Sequence, residues 1–137
     1  METKVANITE ENLTEESAQE LLKEAGAIIK SGGLVAFPTE TVYGLGGDGL
    51  NPDSSRKIYA AKGRPSDNPL IIHISNWDAL EEIVKEIPKK AELLAQAFWP
   101  GPLTLVLKKT DKVPKETTGG LDTVAVRMPD DKVALAF

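Results

Sequence analysis

The sequence predicts an α/β (α+β) fold, in which a mixed β-sheet is flanked by helices within a single domain. Apolar residues recur at helical spacing in four segments, and four short apolar runs bounded by turn-forming residues accompany them. Their order along the chain is α, β, α, β, α, α, β, β, which is typical of a mixed sheet covered by helices. A chain of 137 residues is long enough for one hydrophobic core but short for two.

The first helix and the first strand lie in the N-terminal third of the chain. Apolar side chains at helical spacing predict an amphipathic helix over residues 15–31, with Thr14 or Ser17 capping its start. The pair Gly32–Gly33 can adopt the left-handed conformation that ends a helix. The apolar run Leu34–Phe37 then predicts a short buried strand, which ends at a proline.

The second helix is predicted to place two cationic side chains at the entrance of the next strand. It begins at Asn51, with Pro52 in the first helical position, where a proline is favourable. Lys62 and Arg64 follow at its C-terminal end. The next strand is predicted over residues 70–74.

Two more helices and two strands complete the predicted pattern. Ser75 or Asn76 caps a third helix, and Pro88 opens a fourth. The inward face of this fourth helix is predicted to consist of Leu94, Ala97 and Phe98. The last two strands are predicted over residues 103–107 and 124–128.

The chain ends on an apolar run, Val133–Phe137, which looks like the first turns of a helix without a cap. An apolar end normally needs a surface to pack against. We therefore expect residues 1–137 to form one domain whose C-terminal part is missing.

Composition excludes several classes of chemistry. The chain has no cysteine and one histidine, which excludes disulfides, thiolate catalysis and metal sites built from several histidines. No apolar run approaches the roughly 18 residues of a membrane span, and the polar, acidic N-terminus lacks a signal-peptide pattern. The sequence therefore predicts a cytoplasmic protein without a membrane partner.

Charge is unevenly distributed along the chain. The net charge is −5, so long-range attraction to nucleic acid is not a property of the whole molecule. Acidic residues crowd the first and third helices, whereas a basic cluster lies between them. This basic cluster consists of Arg56, Lys57, Lys62 and Arg64. Such a local site on an acidic protein fits a small anionic ligand better than a long duplex.

The segment Lys62–His73 is the most informative part of the chain, because it combines two cations, an amide, a hydroxyl and the histidine. Pro65 and Pro69 disfavour helix at the residues before them, which predicts a rigid cationic loop at a strand entrance. Two fixed positive charges beside Asn68 suit a polyphosphate. The alternative is a solvated surface loop whose prolines only end a helix.

A second candidate segment follows the first strand. Thr39, Thr41 and Tyr43 are spaced by two residues, so an extended backbone would place their hydroxyls on one face. Four glycines within residues 44–49 allow a positive φ or a close approach to a ligand. The segment matches neither a dinucleotide-binding fingerprint nor a Walker loop. The alternative is a tight structural loop.

Strand alternation assigns a face to His73 and to Arg127. His73 shares a face with Ile71, and Arg127 shares a face with Thr123 if the intervening valines point into the core. A guanidinium in this position could hold a carboxylate in a bidentate pair. The alternatives are a hydrogen-bonded core histidine and an arginine in a surface ion pair.

Metal ligands are not placed by any motif. Asp48, Asp53, Asp67, Asp78 and Asp122 are candidate magnesium ligands by residue type alone. No metal site made of protein ligands is predicted, because a polyphosphate substrate would bring its own Mg²⁺.

Four segments occur together in one characteristic order over roughly residues 14–137. They are PTETVYGL at Pro38–Leu45, KGRPSDNPL at Lys62–Leu70 with His73 after it, PGPLT at Pro100–Thr104, and TVAVRMP at Thr123–Pro129. Taken together they resemble the YrdC/Sua5 family, the threonylcarbamoyl-AMP synthases. A later Ser-x-Asn segment of that family, which contributes to its nucleotide site, would lie beyond Phe137.

The resemblance implies a twisted mixed sheet around a concave, positively charged cavity. It implies an enzyme, a nucleotidyltransferase, that converts L-threonine, bicarbonate and ATP to threonylcarbamoyl-AMP and pyrophosphate, with Mg²⁺ bound to the ATP. Lys62 and Arg64 are then the expected catalytic residues. The residues expected to bind L-threonine are Thr41, His73 and Arg127, and those expected to bind ATP are Lys62, Arg64, Asn68 and Thr123.

The resemblance also implies partners and leaves two alternatives open. The product would feed the t6A modification of tRNA at position 37 through a downstream transferase complex, and tRNA or double-stranded RNA is a further expected partner. One alternative is an RNA-binding module without catalysis. The other is a carbamoyl-transfer domain of the hydrogenase-maturation type.

Overall fold

The structure, a computed structural model, describes residues 2–137 as alternating helices and short strands. The helices are α1 (Glu16–Lys30), α2 (Pro52–Lys62), α3 (Trp77–Ile83), α4 (Lys89–Phe98) and α5 (Lys132–Ala136). The strands are β1 (Val35–Phe37), β2 (Gly44–Gly46), β3 (Ile71–His73), β4 (Thr104–Lys108) and β5 (Thr123–Arg127). Within this range, no helix has the length and apolarity required to cross a membrane.

The strands form two small sheets. In the first, β1 and β2 are antiparallel, with Phe37 opposite Gly44. In the second, β5 lies between β3, to which it is parallel, and β4, to which it is antiparallel. The prediction of a mixed sheet with flanking helices is therefore confirmed, while β2 was not predicted because a run of glycines carries no strand signal.

The glycines of β2 allow close packing rather than unusual backbone angles. A Cβ on Gly44 or Gly46 would lie 2.9 or 2.8 Å from ring atoms of Phe37, so the aromatic ring covers these two residues directly. The positive φ angles among the described residues occur elsewhere, at Gly32, Gly63, Gly119 and Gly120. The close approach seen here is to a side chain of the same chain, and an approach of these glycines to a ligand stays a prediction.

Helix ends follow the predicted caps in the second and third helices but not in the first. Asn51 accepts a hydrogen bond from the N–H of Asp53, and Asn76 accepts one from the N–H of Ala79. The first helix instead has Glu15 at its cap position without a side-chain hydrogen bond, so the prediction of Thr14 or Ser17 as its cap is wrong. Its C-terminal end is confirmed at Gly32, where φ is 85°.

The fourth helix turns a different face to the core from the predicted one. Ala91 and Ala95 are buried and pack with Leu105 of β4. Leu94 and Phe98 are 42% and 58% exposed and Ala97 is exposed as well, so the assignment of these three residues to the inward face is wrong. Small side chains permit α4 to lie close to the sheet, and this steric fit outweighs the greater hydrophobicity of the other face.

The main core lies on one face of the β3–β5–β4 sheet, under α3. Its buried side chains are Ile74, Leu80, Ile83, Val84, Val113, Val124 and Val126. Because successive side chains of β5 alternate between the two faces, burial of its two valines directs Thr123, Ala125 and Arg127 to the opposite face. The predicted alternation in β5 is therefore confirmed.

The predicted apolar helix at the end of the chain is confirmed as α5, although it does have a cap. Asp131 accepts a hydrogen bond from the N–H of Ala134 at 2.9 Å. Val133 is buried, and the ring of Phe137 lies 6.0 Å from that of Phe37. This end of the chain therefore packs beside the β1–β2 sheet.

Candidate functional site

The C-terminal end of α2 positions the cationic loop. Gly63 has a left-handed conformation, and the N–H of Arg64 donates to the carbonyl of Tyr59 at 3.0 Å, which ends the helix. The Arg64 guanidinium donates to the carbonyl of Pro69 at 2.8 Å, across the loop. Lys62, in the last turn of the helix, is exposed. Arg64 is thus held by its own loop, while Lys62 is not held by an ion pair to any residue that the structure describes and is exposed.

The loop is fixed at its far end as well. The N–H of Asn68 donates to the carbonyl of Pro65 at 3.1 Å, which closes a turn, and the side chain of Asn68 is exposed. The N–H of Leu70 then donates to the carbonyl of Thr117 at 3.0 Å. These contacts anchor the loop at Pro65 and Leu70, while its residues 65–68 are exposed, and its rigidity stays a prediction.

Sequence reasoning missed the buried polar residues beneath this loop. Thr117 is 1% exposed, and its hydroxyl donates to the carbonyl of Gly49 at 2.7 Å. The same hydroxyl lies 2.7 Å from that of Ser55, another buried residue. These contacts tie α2 to the segments on both sides of it. A Thr-Thr pair before two glycines carries no signal that would predict such a contact.

A cavity of about 530 Å³ joins the loop to β3. Lys62, Arg64 and His73 line it together with apolar side chains and the glycines of the β2 segment. The apolar part of its wall includes Ile29, Phe37, Ile58, Ile72 and Phe137. Three of the predicted site residues therefore face one cavity that combines an apolar wall with cationic side chains.

His73 connects this cavity to the end of β5. It lies opposite Arg127 in the parallel register of β3 and β5, and its ring packs edge-on against Phe37 at 5.4 Å. Partial burial lowers the pKa of His73 below the ordinary 6.5, and a contact between its Nδ1 and the carbonyl of Ile71 only partly offsets this effect. A neutral imidazole therefore faces the cavity at physiological pH. The predicted shared face of His73 and Ile71 is confirmed, since both are more exposed than Ile72 between them.

Arg127 is surrounded by protein acceptors. Its Nε donates to the carbonyl of Gly101 at 3.1 Å, and Nη1 lies 3.5 Å from the hydroxyl of Thr41. Its Nη2 forms an ion pair with Glu40. The structure thus brings together Thr41, Arg127 and, by strand register, His73. Glu40 and Gly101 belong to the PTETVYGL and PGPLT runs, but sequence reasoning did not single them out.

The hydroxyls after β1 are arranged by a bend rather than by an extended segment. Residues 40–42 form the bend, and the hydroxyls of Thr39 and Thr41 lie 3.0 Å apart. Thr39 also donates to the carbonyl of Val42 at 2.6 Å. The prediction that an extended backbone aligns Thr39, Thr41 and Tyr43 is therefore wrong, although two of these hydroxyls do meet.

Thr123 lies at the opposite end of β5 from Arg127. The two residues share a face but are four positions apart, which corresponds to roughly 13 Å along a strand. Thr123 is paired with Lys108 in the β4–β5 register. The predicted nucleotide residue Thr123 is therefore separated from the Arg127 end by most of the length of the strand.

Two of the four side chains of the predicted basic cluster form contacts within the chain. Arg56 forms ion pairs with Asp53 and Glu116, and the Lys57 ammonium donates to the carbonyl of Gly32 at 2.7 Å. Lys62 forms no ion pair with another residue of the range 2–137. The cationic surface around α2 is consequently smaller than the sequence predicted.

The candidate magnesium ligands do not converge. Asp53 pairs with Arg56, and Asp48 accepts a hydrogen bond from the N–H of Leu50. The part of the chain that the structure describes contains no group of three acidic, histidine or cysteine residues that could hold a metal ion.

Known proteins have sequences similar to that of this chain. The profile of the Sua5, YciO and YrdC family, described as telomere recombination, matches residues 27–137. A threonylcarbamoyl-AMP synthase of Pyrococcus abyssi is 56% identical over 124 residues, which is 90% of this chain and 36% of that protein. A threonylcarbamoyl-AMP synthase of Bacillus subtilis is 52% identical over 117 residues, which is 85% of this chain and 34% of that protein.

A solved structure shows the same fold. The crystal structure of P. abyssi Sua5 complexed with L-threonine matches with a TM-score of 0.84 and 58% identity, over 86% of this chain and 35% of that one. The chain thus spans about a third of the length of these relatives. Both the family profile and the fold cover most of the sequence, and the chain belongs to the Sua5/YciO/YrdC family.

Proposed function

We propose that this chain carries substrate-binding and catalytic residues of an L-threonylcarbamoyladenylate synthase. The reaction would join L-threonine, bicarbonate and ATP into threonylcarbamoyl-AMP and release pyrophosphate, which makes the enzyme a nucleotidyltransferase. One observation carries the proposal. A guanidinium, that of Arg127 beside Thr41, lies next to His73, and His73 lines the same cavity as Lys62 and Arg64.

The Arg127 end fits an amino acid. A guanidinium is the side chain best suited to a carboxylate, because its planar donors match the two oxygens. Arg127 would bind the carboxylate of L-threonine, while Thr41 and the neutral imidazole of His73 would orient its amine and hydroxyl. The low pKa of His73 supports this role, because a neutral ring can accept a hydrogen bond.

The loop end fits a nucleotide. Lys62 and Arg64 would neutralise the phosphates of ATP, and Asn68 and Thr123 would orient them. Lys62 and Asn68 are both exposed and therefore accessible to such a ligand. Mg²⁺ would enter bound to ATP and neutralise the leaving pyrophosphate.

The chemistry needs positioning rather than a protein nucleophile. The amine of L-threonine adds to the carbon of bicarbonate or carbon dioxide, and water or a proton leaves as the carbamate forms. A carbamate oxygen then attacks the α-phosphorus of ATP, and the bond to the β-phosphate bridge breaks to release pyrophosphate. Fixed cations stabilise the charge that develops at phosphorus, as in phosphoryl transfer generally. The apolar wall of the cavity would limit access of water to the fragile carbamate.

The comparisons support the amino acid and the reaction. The relatives named above are threonylcarbamoyl-AMP synthases, and one was solved complexed with L-threonine. The product would then feed t6A formation at tRNA position 37 through a transferase complex, in the cytoplasm. The alternative of an RNA-binding module is less well supported, because Arg56 and Lys57 are engaged within the chain.

Calorimetric titration of the chain with L-threonine, L-serine and Mg²⁺–ATP tests the proposal. We expect L-threonine to bind about 10-fold or more tightly than L-serine, because a methyl group in an apolar pocket contributes at least this much. The variant Arg127→Gln should lose L-threonine binding, whereas Arg56→Gln should retain it. A folded chain that binds neither amino acid would contradict the proposal. Mass spectrometry of the chain with all three substrates then tests whether threonylcarbamoyl-AMP forms.

A further inference from the structure

The guanidinium of Arg127 is already paired with a carboxylate of its own chain. Glu40 contacts Nη2 of Arg127 through one carboxylate oxygen, and its other oxygen accepts a hydrogen bond from the N–H of Asp130. The side chains of Arg127 and Glu40 are 11% and 22% exposed. Glu40 therefore links the bend after β1 to the end of β5.

This pairing blocks the position that a ligand carboxylate would need. The Nη2 atom of Arg127 is buried, and Nε is used by the carbonyl of Gly101. Nη1 already lies beside the hydroxyl of Thr41. A bidentate carboxylate requires two donors on one edge of the guanidinium. Such a ligand can reach Nη2 only if Glu40 moves away.

We infer that Glu40 is a specificity-determining residue that competes with the ligand for Arg127. A ligand that displaces Glu40 must supply a carboxylate of its own, because a buried guanidinium left without a counterion is strongly unfavourable. Glu40 thereby excludes neutral analogues such as amides and esters. This inference rests on the proposed function for the identity of the ligand, though not for the pairing itself.

The position of Glu40 permits this exchange. It lies at the start of the bend at residues 40–42. The three residues after it are exposed, Val42 and Tyr43 by 74% and 79%. Little packing therefore opposes its displacement. Movement of Glu40 would also release the N–H of Asp130, one residue before the cap of α5. Ligand binding would in this way change the hydrogen bonding at the start of α5.

The first test is chemical labelling, which needs no substrate. Phenylglyoxal modifies accessible arginines, and the chain has three, Arg56, Arg64 and Arg127. Peptide mass spectrometry should show slow labelling of Arg127 in the wild type and labelling at least several-fold faster in Glu40→Gln. The matched control is Glu116→Gln, which removes one partner of Arg56 and should leave the labelling rate of Arg127 unchanged. An unchanged rate of Arg127 in folded Glu40→Gln would overturn the inference.

The second test is the affinity for L-threonine and L-threoninamide by calorimetry. If Glu40 occupies Arg127 for about nine-tenths of the time, its removal strengthens L-threonine binding about tenfold. Glu40→Gln should also bind L-threoninamide measurably, whereas the wild type should not. Glu40→Ala should behave in the same direction and serves as the second variant if the glutamine variant fails to fold. Weaker L-threonine binding in both variants would mean that Glu40 holds the ligand, and the inference would be wrong.

The two tests separate this inference from the proposed function. Faster labelling of Arg127 in Glu40→Gln, together with no L-threonine binding by any variant, would refute L-threonine as the ligand. Glu40 would then remain the internal partner of Arg127. Normal L-threonine binding with unchanged labelling would retain the proposed function and refute the role of Glu40.

Discussion

The two ends of the candidate site hold their cations in different ways. At the end of β5, Arg127 is 11% exposed and contacts Gly101, Thr41 and Glu40. At the end of α2, Lys62 is exposed, and Arg64 is held by one carbonyl of its own loop. A guanidinium confined among protein acceptors can discriminate between ligands by geometry. An open ammonium attracts anions with less geometric discrimination.

The largest effect is expected at the loop end, from Arg64→Ala. If Arg64 stabilises charge at phosphorus, its loss should cost about 2–5 kcal/mol of transition-state stabilisation, by analogy with the loss of a desolvated charge pair. The rate of pyrophosphate release with all three substrates measures this cost. Arg56→Ala, within α2 and paired with acidic residues, is the control and should change the rate little. Near-normal turnover of Arg64→Ala would refute its assigned role.

The next effect is expected at the β5 end, from Arg127→Lys. Lysine keeps the charge but loses the planar set of donors, so L-threonine binding should weaken by about 1.5–3 kcal/mol, the usual contribution of a hydrogen bond to a charged group. Calorimetry of L-threonine binding provides the measurement, with Arg56→Lys as the control. If Arg127→Lys bound L-threonine as tightly as the wild type, a positive charge alone would be sufficient for binding. The two ends of the site would then not differ in how they discriminate between ligands.

The third prediction tests the support beneath the loop. Thr117→Val removes the hydroxyl that contacts Gly49 and Ser55, and it leaves the buried Ser55 hydroxyl and the half-buried Gly49 carbonyl without this partner. We expect the free energy of unfolding to fall by about 1–3 kcal/mol. Urea denaturation measures this change. Thr110→Val removes a hydroxyl that bonds the carbonyl of Glu82 near the surface, and it should have a smaller effect. Equal losses in the two variants would contradict the importance of the buried contact.

The smallest effect is expected from the protonation of His73, which lies between the two ends. Burial lowers its pKa in the folded state below 6.5, so the unfolded chain binds more protons as the pH falls through this value. The contribution of His73 to stability is therefore present above pH 6.5 and is lost as the pH falls toward its folded-state pKa.

Urea denaturation of the wild type and His73→Gln over this pH range measures the difference. The variant should show a weaker decline in stability below pH 6.5 than the wild type. Parallel curves for the two proteins would mean that the imidazole is not desolvated.

The sequence alone predicted the helices, most strands and the candidate residues, because these depend on local patterns. Asn51 with Pro52, the period-2 alternation around Arg127, and the prolines beside Arg64 are all properties of neighbouring residues. Such patterns determine which residues share a face or start a helix. The family resemblance added the reaction and the expected role of each residue.

Only the tertiary structure decided which of these residues meet and which are already occupied. The ion pair of Glu40 with Arg127 and the contact of Arg56 with Glu116 join residues 87 and 60 positions apart, beyond the reach of any local pattern. The inward face of α4 was decided by how closely alanines allow the helix to approach Leu105. Packing and long-range pairing depend on the whole chain, so they set the accessible surface of the site while the sequence set its chemical groups.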